Sequence, residues 1–351
     1  MSRMNAAMFY APKDVRFETT EIPKPGPGEV LVEVKAALTC GTDIKTYQRG
    51  HPTIIKQTPS TFGHEFSGTI VEVGQGVAGF HEGMNVACCN AAPCQQCFYC
   101  KNDQQNLCEN LLILNGAYAE YIVVPERLVR LNLVEIPEHI SFHEAALSEP
   151  LGTAVHAVRL TGIKQGDTVA VIGSGPLGLM ITRLAYLQGA KVVVLGKGDE
   201  RLRVATDFGA AETIDIRATE SEEDQVAAAR TLTYESRGAD VVMEAVGQPQ
   251  AWEEALKIVR KGGKVTFFGG CKKGTTITVD TVQLHYSELS LLGVYHQTPG
   301  DFRRSVQLLG NRLVDGRKFV KETVPLSQLI TAFDRVKALE GIKFAINPKE
   351  L

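Results

Sequence analysis

The chain has 351 residues, of which 44% are hydrophobic and 22% charged, a composition typical of a globular protein with two domains. Its 37 basic and 40 acidic side chains give a formal net charge of −3, which excludes the basic surface that nucleic acid or anionic lipid requires. No run of about 18 apolar residues occurs, and the first residues lack the apolar segment of a signal peptide. We therefore expect a cytoplasmic protein with no membrane or nucleic-acid partner.

The first part of the chain carries strand patterns. Apolar and β-branched residues alternate or run together, separated by Gly and Pro, over residues 30–40, 66–74, 84–89 and 118–125. These segments predict a β-rich N-terminal domain.

From about residue 143 the pattern becomes helical, and strands then alternate with helices. The strand-like segments of this part are residues 168–173, 191–196, 240–247 and 264–270. Such alternation is typical of a parallel sheet with helices on both faces. The predicted class is therefore α/β, a β-rich domain followed by a doubly wound one, with a tail beyond about residue 294 whose packing the periodicity does not determine.

Three separate segments of the N-terminal part carry metal-ligand residue types. Cys40 ends a predicted strand, His64 and Glu65 precede the next one, and Glu149 precedes a proline. A Cys, a His and a carboxylate suit a catalytic zinc with an open fourth position. Each residue alone also fits a packed side chain, an exposed charge or a helix-dipole partner, so the spacing leaves both interpretations open.

Four of the eight cysteines lie within residues 93–108, with the spacing C-x2-C-x2-C-x7-C. Two-residue gaps let thiolates converge on one ion, and four thiolates fill a tetrahedral zinc so that no position remains for substrate. We predict a structural zinc lobe over residues 93–109, with an iron–sulfur cluster as the alternative. The predicted ligands are Cys94, Cys97, Cys100 and Cys108.

A glycine-rich turn of the form G-x-G-x-x-G follows the apolar strand at 168–172 and opens a helical segment. Its glycines are Gly173, Gly175 and Gly178. In this context the amides around Pro176 and Leu177 would face a pyrophosphate at the helix N-terminus. The alternative is that these glycines serve only helix–strand packing.

The end of the next predicted strand bears on the choice of cofactor. Gly196 and Lys197 stand where NAD-binding proteins usually carry an acid for the ribose 2′-hydroxyl. A small residue followed by a cation accommodates a 2′-phosphate, which favours NADP. Asp199 and Glu200 follow closely and could restore NAD binding, and a solvated loop charge explains Lys197 equally well.

The order of five motifs gives the chain a family resemblance. The chain resembles the zinc-dependent medium-chain dehydrogenase/reductase (alcohol dehydrogenase) family, and most of all its sorbitol/polyol and threonine dehydrogenase branch. The motifs are CGTD (40–43), GHE (63–65), the four-cysteine lobe, SEPL (148–151) and GSGPLG (173–178).

That resemblance implies an architecture and an activity. Residues 1–154 and 294–351 would form a GroES-like catalytic domain, and residues 155–293 a Rossmann cofactor domain. It also implies two zinc ions per chain, catalytic and structural, and hydride transfer between NAD(P) and a small-molecule alcohol or ketone. Members of the family are commonly homo-oligomers, dimers or tetramers.

The resemblance further assigns roles to residues. It implies a catalytic zinc on Cys40, His64 and a carboxylate, either Glu65 or Glu149, and Thr42 as the hydroxyl that receives the substrate proton. The positions that it implies beside the cofactor are Val246, Gly269 and Val294, with Lys343 near the cofactor phosphates.

Two positions depart from the family pattern. Lys45 stands where many relatives carry a proton-relay histidine, and Gly196 replaces the acid of the NAD-dependent branch. The first departure leaves the last step of proton transfer to solvent open, and the second leaves the cofactor open.

The leading hypothesis is a zinc-dependent NAD(P) dehydrogenase acting on a polyol, sugar or secondary alcohol. Within enzymes, the alternative is amino-alcohol oxidation like that of L-threonine 3-dehydrogenase. From another class, the alternative is a non-catalytic nucleotide-binding protein with a structural or sensing role. That last class is disfavoured, because a non-enzyme does not need an open zinc site, and the residues of such a site are intact here: Cys40, His64, Glu149 and Thr42.

Overall fold

The computed structural model describes residues 2–51 and 54–350, which form two compact units. Met1–Gly152 and Gln297–Leu351 make up the first unit, and Thr153–His296 the second. Within the described residues, no helix combines the length and apolar character that a bilayer span needs.

The N-terminal part is built mainly from strands, as its alternating apolar residues predicted. The strands are β1 (Arg3–Ala11), β2 (Asp14–Glu21), β3 (Val30–Leu38), β4 (Ser60–Thr61), β5 (Phe66–Val73), β6 (Asn85–Cys88), β7 (Ala91–Ala92), β8 (Leu112–Ile113), β9 (Tyr121–Val124) and β10 (Leu133–Glu135). The helices of this part are α1 (Gly41–Arg49), α2 (Phe98–Lys101), α3 (Glu126–Asn132), α4 (Phe142–Ala146) and α5 (Ser148–Thr161), the last of which continues into the second unit.

The second unit alternates strands and helices. Its strands are β11 (Thr168–Ile172), β12 (Lys191–Gly196), β13 (Ala210–Asp215), β14 (Ala239–Glu244), β15 (Val259–Phe267) and β16 (Ser290–Gly293). Its further helices are α6 (Pro176–Leu187), α7 (Asp199–Asp207), α8 (Glu222–Thr231), α9 (Pro249–Ile258) and α10 (Thr281–Tyr286).

These six strands form one parallel sheet in the order β13-β12-β11-β14-β15-β16. The predicted doubly wound fold is confirmed. Because the strand order reverses between β11 and β14, ligands of such a sheet bind beyond the carboxyl ends of its strands.

The tail completes the first unit. It contains α11 (Pro299–Gly310), β17 (Val320–Pro325), α12 (Leu329–Lys337) and β18 (Lys343–Asn347). β18 pairs antiparallel with β3 and parallel with β17, within a seven-stranded sheet of order β10-β6-β5-β3-β18-β17 in which β9 also pairs with β3. This pairing brings the end of the chain beside the segment that precedes α1.

An aromatic cluster lies at the centre of the first unit's core. Tyr118 and Phe333 pack against Phe62, with ring centroids 5.5 and 6.2 Å from it. All three rings are fully buried, and edge-to-face packing of this kind adds to their hydrophobic stabilisation. The cluster lies next to the residues of the candidate site, since Phe62 is two residues before His64.

Candidate active site

Three of the predicted ligands converge in the first unit. One ligand atom each of Cys40, His64 and Glu65 lies within 4.8 Å of the others. Cys40 is the N-cap of α1, where its Sγ accepts a hydrogen bond from the Thr42 amide at 3.4 Å. His64 and Glu65 are buried immediately before β5. Two chain segments thus bring a soft donor, the thiolate, and two harder donors, the imidazole and the carboxylate, to one point. Such a donor set fits zinc.

Asp43 orients the histidine of this cluster, and sequence reasoning did not single it out. Its fully buried carboxylate accepts a hydrogen bond from His64 Nδ1 at 2.8 Å, and the Tyr118 hydroxyl lies 2.8 Å from its second oxygen. Burial opposes charge on His64, but Asp43 and Cys40 raise the pKa of its imidazole well above the ordinary value. Because Asp43 takes Nδ1, Nε2 is the nitrogen that can face a metal. The sequence signal was that Asp43 is the last residue of the CGTD motif that begins at Cys40.

Lys343 contacts the carboxylate of the cluster. Its Nζ lies 2.6 and 2.9 Å from the two oxygens of Glu65 and 2.7 Å from the carbonyl of Thr39. The side chains of Lys343 and Glu65 are 2% and 0% exposed, so each supplies the charge that the other requires. Burial disfavours the ammonium, but Glu65 and Cys40 raise the pKa of Lys343 overall. Its approach to cofactor phosphates stays a prediction, since the contacts observed are with the cluster.

Glu149 lies beside the cluster without being one of its three members. Burial raises the pKa of this carboxyl to about 7, with His64 opposing the shift and Glu65 adding to it. The Gln297 amide donates to Glu149 Oε1 at 3.2 Å and to its backbone carbonyl at 2.9 Å, which orients the side chain. Both carboxylates therefore remain candidates for the third ligand, and Gln297 is a further residue that the sequence did not indicate.

The alternative role for Thr42 is to cap the turn after β3, but the N-cap of α1 is Cys40. Capping of the helix therefore does not explain the Thr42 hydroxyl.

His51 lies just beyond the other end of the same helix. It is half-buried, and among the described residues its Nδ1 is buried without a hydrogen-bond partner. Burial lowers the pKa of His51, and Arg49, His64 and Lys45 lower it further. Lys45 and His64 are therefore near enough to His51 to affect the pKa of its imidazole.

The four lobe cysteines also converge, with their sulfur atoms within 4.8 Å of one another. None is in a disulfide. The Cys94 amide donates to Cys108 Sγ at 3.1 Å and the Gln96 amide to Cys94 Sγ at 3.5 Å. Amides of this kind lower the pKa of Cys94 to about 6, whereas burial raises that of Cys100 to about 12. The donor set fits a closed, four-thiolate zinc site, and backbone N–H groups already favour part of its negative charge.

The glycine-rich turn of the second unit has the geometry of a pyrophosphate cradle. α6 starts at Pro176, with Gly175 as its N-cap. A Cβ on Gly178 would lie 1.8 Å from the carbonyl oxygen of Gly173, so the helix can approach the strand only with glycine there. A Cβ on Gly175 would meet nothing within 4 Å, which leaves the backbone accessible to a ligand.

The residues predicted to line the cofactor follow the carboxyl ends of β14, β15 and β16. Glu244 Oε1 accepts hydrogen bonds from the amides of Val246 (2.6 Å) and Gly247 (2.7 Å), which shapes the loop after β14. Gly269 and Val294 line a cavity of about 730 Å³. This position agrees with the ligand crevice expected for a doubly wound sheet.

Ser174 explains the glycine at the end of β12. A Cβ on Gly196 would lie 2.4 Å from Ser174 Oγ and 2.5 Å from Ser174 Cβ. The same hydroxyl accepts from the Lys197 amide at 3.0 Å and donates to its carbonyl at 2.9 Å. An acidic side chain therefore cannot occupy position 196 while Ser174 is present.

Family comparisons agree with this arrangement. Residues 26–138 match the alcohol dehydrogenase GroES-like domain, and residues 176–311 match the zinc-binding dehydrogenase domain. A sorbitol dehydrogenase of Halalkalibacterium halodurans is 32% identical over 341 residues, which is 95% of this chain and 96% of that protein.

The chain belongs to the zinc-dependent medium-chain alcohol dehydrogenase family.

Two further relatives indicate the breadth of this family. An L-threonine 3-dehydrogenase of Bacillus licheniformis is 38% identical over 255 residues, 71% of each chain. A zinc-binding dehydrogenase of Sinorhizobium meliloti 1021, solved bound to NADP, superposes with a TM-score of 0.89 at 29% identity and covers 99% of both chains. As an alcohol dehydrogenase of this family, the protein is a zinc-dependent oxidoreductase that uses NAD(P) and a small-molecule alcohol substrate.

Proposed function

We propose that this dehydrogenase oxidises a polyol or another secondary alcohol, and reduces the corresponding ketone, with NAD(P) as the hydride carrier. The observation that supports the proposal is the convergence of Cys40, His64 and Glu65 to within 4.8 Å. A closed four-thiol lobe alone would support only a structural role for metal, whereas a three-donor cluster leaves a coordination position for substrate.

Zinc held by Cys40, His64 and one carboxylate would polarise the substrate oxygen as a Lewis acid. The protein residues have separate tasks around it. Asp43 fixes the ring of His64, and Lys343 balances the charge of Glu65. The Thr42 hydroxyl, two residues after Cys40 at the start of the same helix, would relay the substrate proton, accepting it while its own O–H proton passes on towards solvent.

A polyol is the preferred substrate class because the sorbitol dehydrogenase relative matches almost the whole chain. L-Threonine is the second candidate. The threonine dehydrogenase relative has the higher identity, 38%, but over 71% of this chain.

The direct test is a spectrophotometric screen of polyols, secondary alcohols and L-threonine with NAD and NADP. We expect NAD(P)-dependent oxidation of at least one polyol. Activity with L-threonine alone would replace the polyol assignment by the second candidate, and inactivity of the zinc-loaded protein with all three classes would overturn both.

Zinc content separates the enzyme from a non-catalytic nucleotide-binding protein. We propose two zinc ions per chain, and Cys40→Ala should remove one of them together with activity. Cys88→Ala, which deletes a buried thiol outside both clusters, should keep both ions and activity. A single ion that Cys40→Ala leaves in place would contradict the catalytic assignment.

We also propose a preference for NADP and a homo-oligomeric assembly. Gly196 and the NADP-bound relative support the first. The second rests on β16, an edge strand in the described sheet that is only partly buried.

A further inference from the structure

Arg217 lies beside the place where this fold presents the adenosine ribose of its cofactor. Asp215, the last residue of β13, is in register with Gly196 at the end of β12. The Ile216 amide donates to the Gly196 carbonyl at 2.9 Å, which keeps the chain next to β12 for one residue more. Arg217 therefore leaves the sheet at the carboxyl end of β12, the edge at which a doubly wound fold binds the ribose.

Two carboxylates, those of Asp215 and Asp199, contact the Arg217 guanidinium. Its Nε lies 2.9 and 3.1 Å from the oxygens of Asp215, and its Nη2 lies 2.5 Å from Asp215 Oδ2. The same Nη2 donates to Asp199 Oδ1, on the first residue of α7. Asp215 is the anchoring partner, because its side chain is 29% exposed and belongs to the same turn.

The outer contact, to Asp199, is the one that a ligand can replace. The Asp199 side chain is 90% exposed and the Arg217 side chain 47% exposed, and ion pairs between such groups stabilise a protein little. An arginine–phosphate contact is stronger, since two parallel N–H groups can bind two phosphate oxygens.

Of the two acids that follow Gly196 and could serve the ribose, Asp199 is the one that contacts Arg217. Ser174 excludes an acid from position 196, and Asp199 lies three residues further on. When Asp199 binds a 2′-hydroxyl it favours NAD, and when it pairs with Arg217 that function is blocked. The two side chains therefore act in opposite directions on cofactor choice.

We propose that Arg217 is the residue that binds the 2′-phosphate of NADP and that Asp199 competes with this phosphate for the guanidinium. Asp215 keeps the arginine in place while the phosphate takes the position of Asp199. The inference rests on the proposed function only in that the cofactor occupies the crevice of this sheet. It moves the specificity from Lys197, the candidate indicated by the sequence, to a residue at the end of the neighbouring strand.

The test uses the adenosine fragments 2′,5′-ADP and 5′-AMP, together with NADP and NAD, in calorimetric titrations of the full zinc-loaded chain. Arg217→Ala should lower the affinity for 2′,5′-ADP and NADP by about 10- to 100-fold and change that for 5′-AMP by less than about threefold. Asp199→Asn should raise the 2′,5′-ADP affinity several-fold and weaken NAD. Arg217→Lys should have an intermediate affinity for 2′,5′-ADP, because lysine keeps the positive charge but lacks the two parallel N–H donors of the guanidinium.

Two matched variants make the result specific. Arg237→Ala removes another exposed arginine of the same unit, one that pairs with Glu235, and should leave all four affinities unchanged. Lys197→Ala should change the ratio of 2′,5′-ADP to 5′-AMP affinity by less than about threefold. Unfolding temperatures would identify any variant that is merely destabilised.

The inference is overturned if Lys197→Ala abolishes the preference for 2′,5′-ADP while Arg217→Ala retains it. It is equally overturned if the unmodified chain binds both fragments alike and neither Arg217→Ala nor Asp199→Asn alters the ratio. These outcomes are independent of catalysis. A chain that oxidises no alcohol but shows Arg217-dependent binding would refute the proposed function and leave this inference standing.

Discussion

At the scale of single residues, the candidate active site depends on side chains that bind no metal themselves. Asp43 holds His64, and Lys343 holds Glu65. Such outer contacts fix the tautomer and direction of a ligand before the ion binds. The buried pair Lys343–Glu65 also restricts substitution at both positions, because removing either partner would leave an uncompensated charge in the core.

We predict that Asp43→Ala weakens zinc binding at the cluster by about 10- to 100-fold, because His64 loses the partner that orients its ring. Chelator competition, followed by the release of zinc, measures this change. Tyr118→Phe should cause a smaller loss, since it keeps the aromatic packing and removes only the hydroxyl next to Asp43.

Asp14→Ala, which removes an exposed carboxylate of the same unit, is the control and should leave zinc affinity unaltered. Unchanged zinc retention in Asp43→Ala would mean that His64 keeps its orientation through packing alone.

The buried carboxyl of Glu254 predicts that the stability of the second unit depends on pH. Burial raises the pKa of this carboxyl to about 7 from an ordinary 4.5, and Glu222 adds to the shift while Lys257 opposes it. The folded state therefore binds this proton more tightly than the unfolded state. Ionisation of Glu254 therefore lowers the free energy of unfolding as the pH rises from about 4.5 to 7, and this loss of stability persists at higher pH.

Glu254→Gln should accordingly flatten the dependence of the unfolding free energy on pH between 5 and 8. At pH 8 the variant should be more stable by up to about 3 kcal/mol, the equivalent of the shift. Urea denaturation at several pH values measures both. Glu212→Gln, at an exposed position of β13, should reproduce the pH curve of the unmodified chain. If the unfolding free energy of Glu254→Gln varies with pH in parallel with that of the unmodified chain, another group dominates the pH dependence of stability.

At the scale of elements, the cysteine lobe is the feature that sequence spacing predicted most completely. Ligands two residues apart have little freedom, since the backbone between them can only turn. The same holds for the glycine-rich turn, in which Gly173 and Gly175 lie between β11 and α6 and Gly178 lies in the first turn of α6. The lobe is not expected to be the reactive centre, because its four converging sulfur atoms would fill the coordination sphere of a zinc ion.

We expect Cys97→Ser to remove one zinc per chain and to lower the temperature of half-inactivation, because a structural zinc stabilises a loop that has little apolar material. Zinc analysis and residual activity after heating measure the two effects. At low temperature the rate of oxidation of the preferred alcohol should change by no more than a few-fold. The reason is that no lobe residue belongs to the group of Cys40, His64 and Glu65.

Gln96→Ala changes an exposed lobe residue between two ligands and should retain zinc and heat resistance. Loss of all activity in Cys97→Ser at low temperature, with the cluster zinc still bound, would give the lobe a catalytic role that we do not expect.

At the scale of the whole molecule, the edge of the parallel sheet bears on assembly. β16 pairs with β15 on one side only, within the described strands, and an uncovered edge is a template for pairing with a second chain. Helix α10 before it exposes Val282 (61%) and Tyr286 (76%), large apolar side chains in the same region of sequence. A second copy of the chain is the partner that we expect there.

Leu292→Lys should therefore convert the assembly to a smaller species, because a charge on an edge strand opposes pairing. Light scattering coupled to gel filtration measures the mass. Tyr234→Lys, at a 74% exposed aromatic elsewhere in the unit, is the control and should keep the parent mass. A monomeric parent protein would refute the assembly.

The long-range contacts explain what sequence reasoning missed. Tyr118 meets Asp43 across 75 positions and Lys343 meets Glu65 across 278, through the pairing of β18 with β3. Arg217 reaches Asp199 because β13 lies beside β12. No local pattern marks such partners, since periodicity reports which face of an element is buried and not which element covers it.

By itself, the sequence determined the class of fold, the closed cysteine lobe, the glycine turn and the set of residues from which an open metal site could be built. These features depend on short spacings, over which backbone geometry limits the distance between side chains. Only the tertiary structure decided that Cys40, His64 and Glu65 share one point, that Lys343 and Asp43 support them, and that Arg217 stands beside Gly196. These contacts join residues from 21 positions apart, as for Asp43 and His64, to 278 apart, as for Glu65 and Lys343, so only the packing of the elements brings them together. The same packing buries the charges that the site then uses.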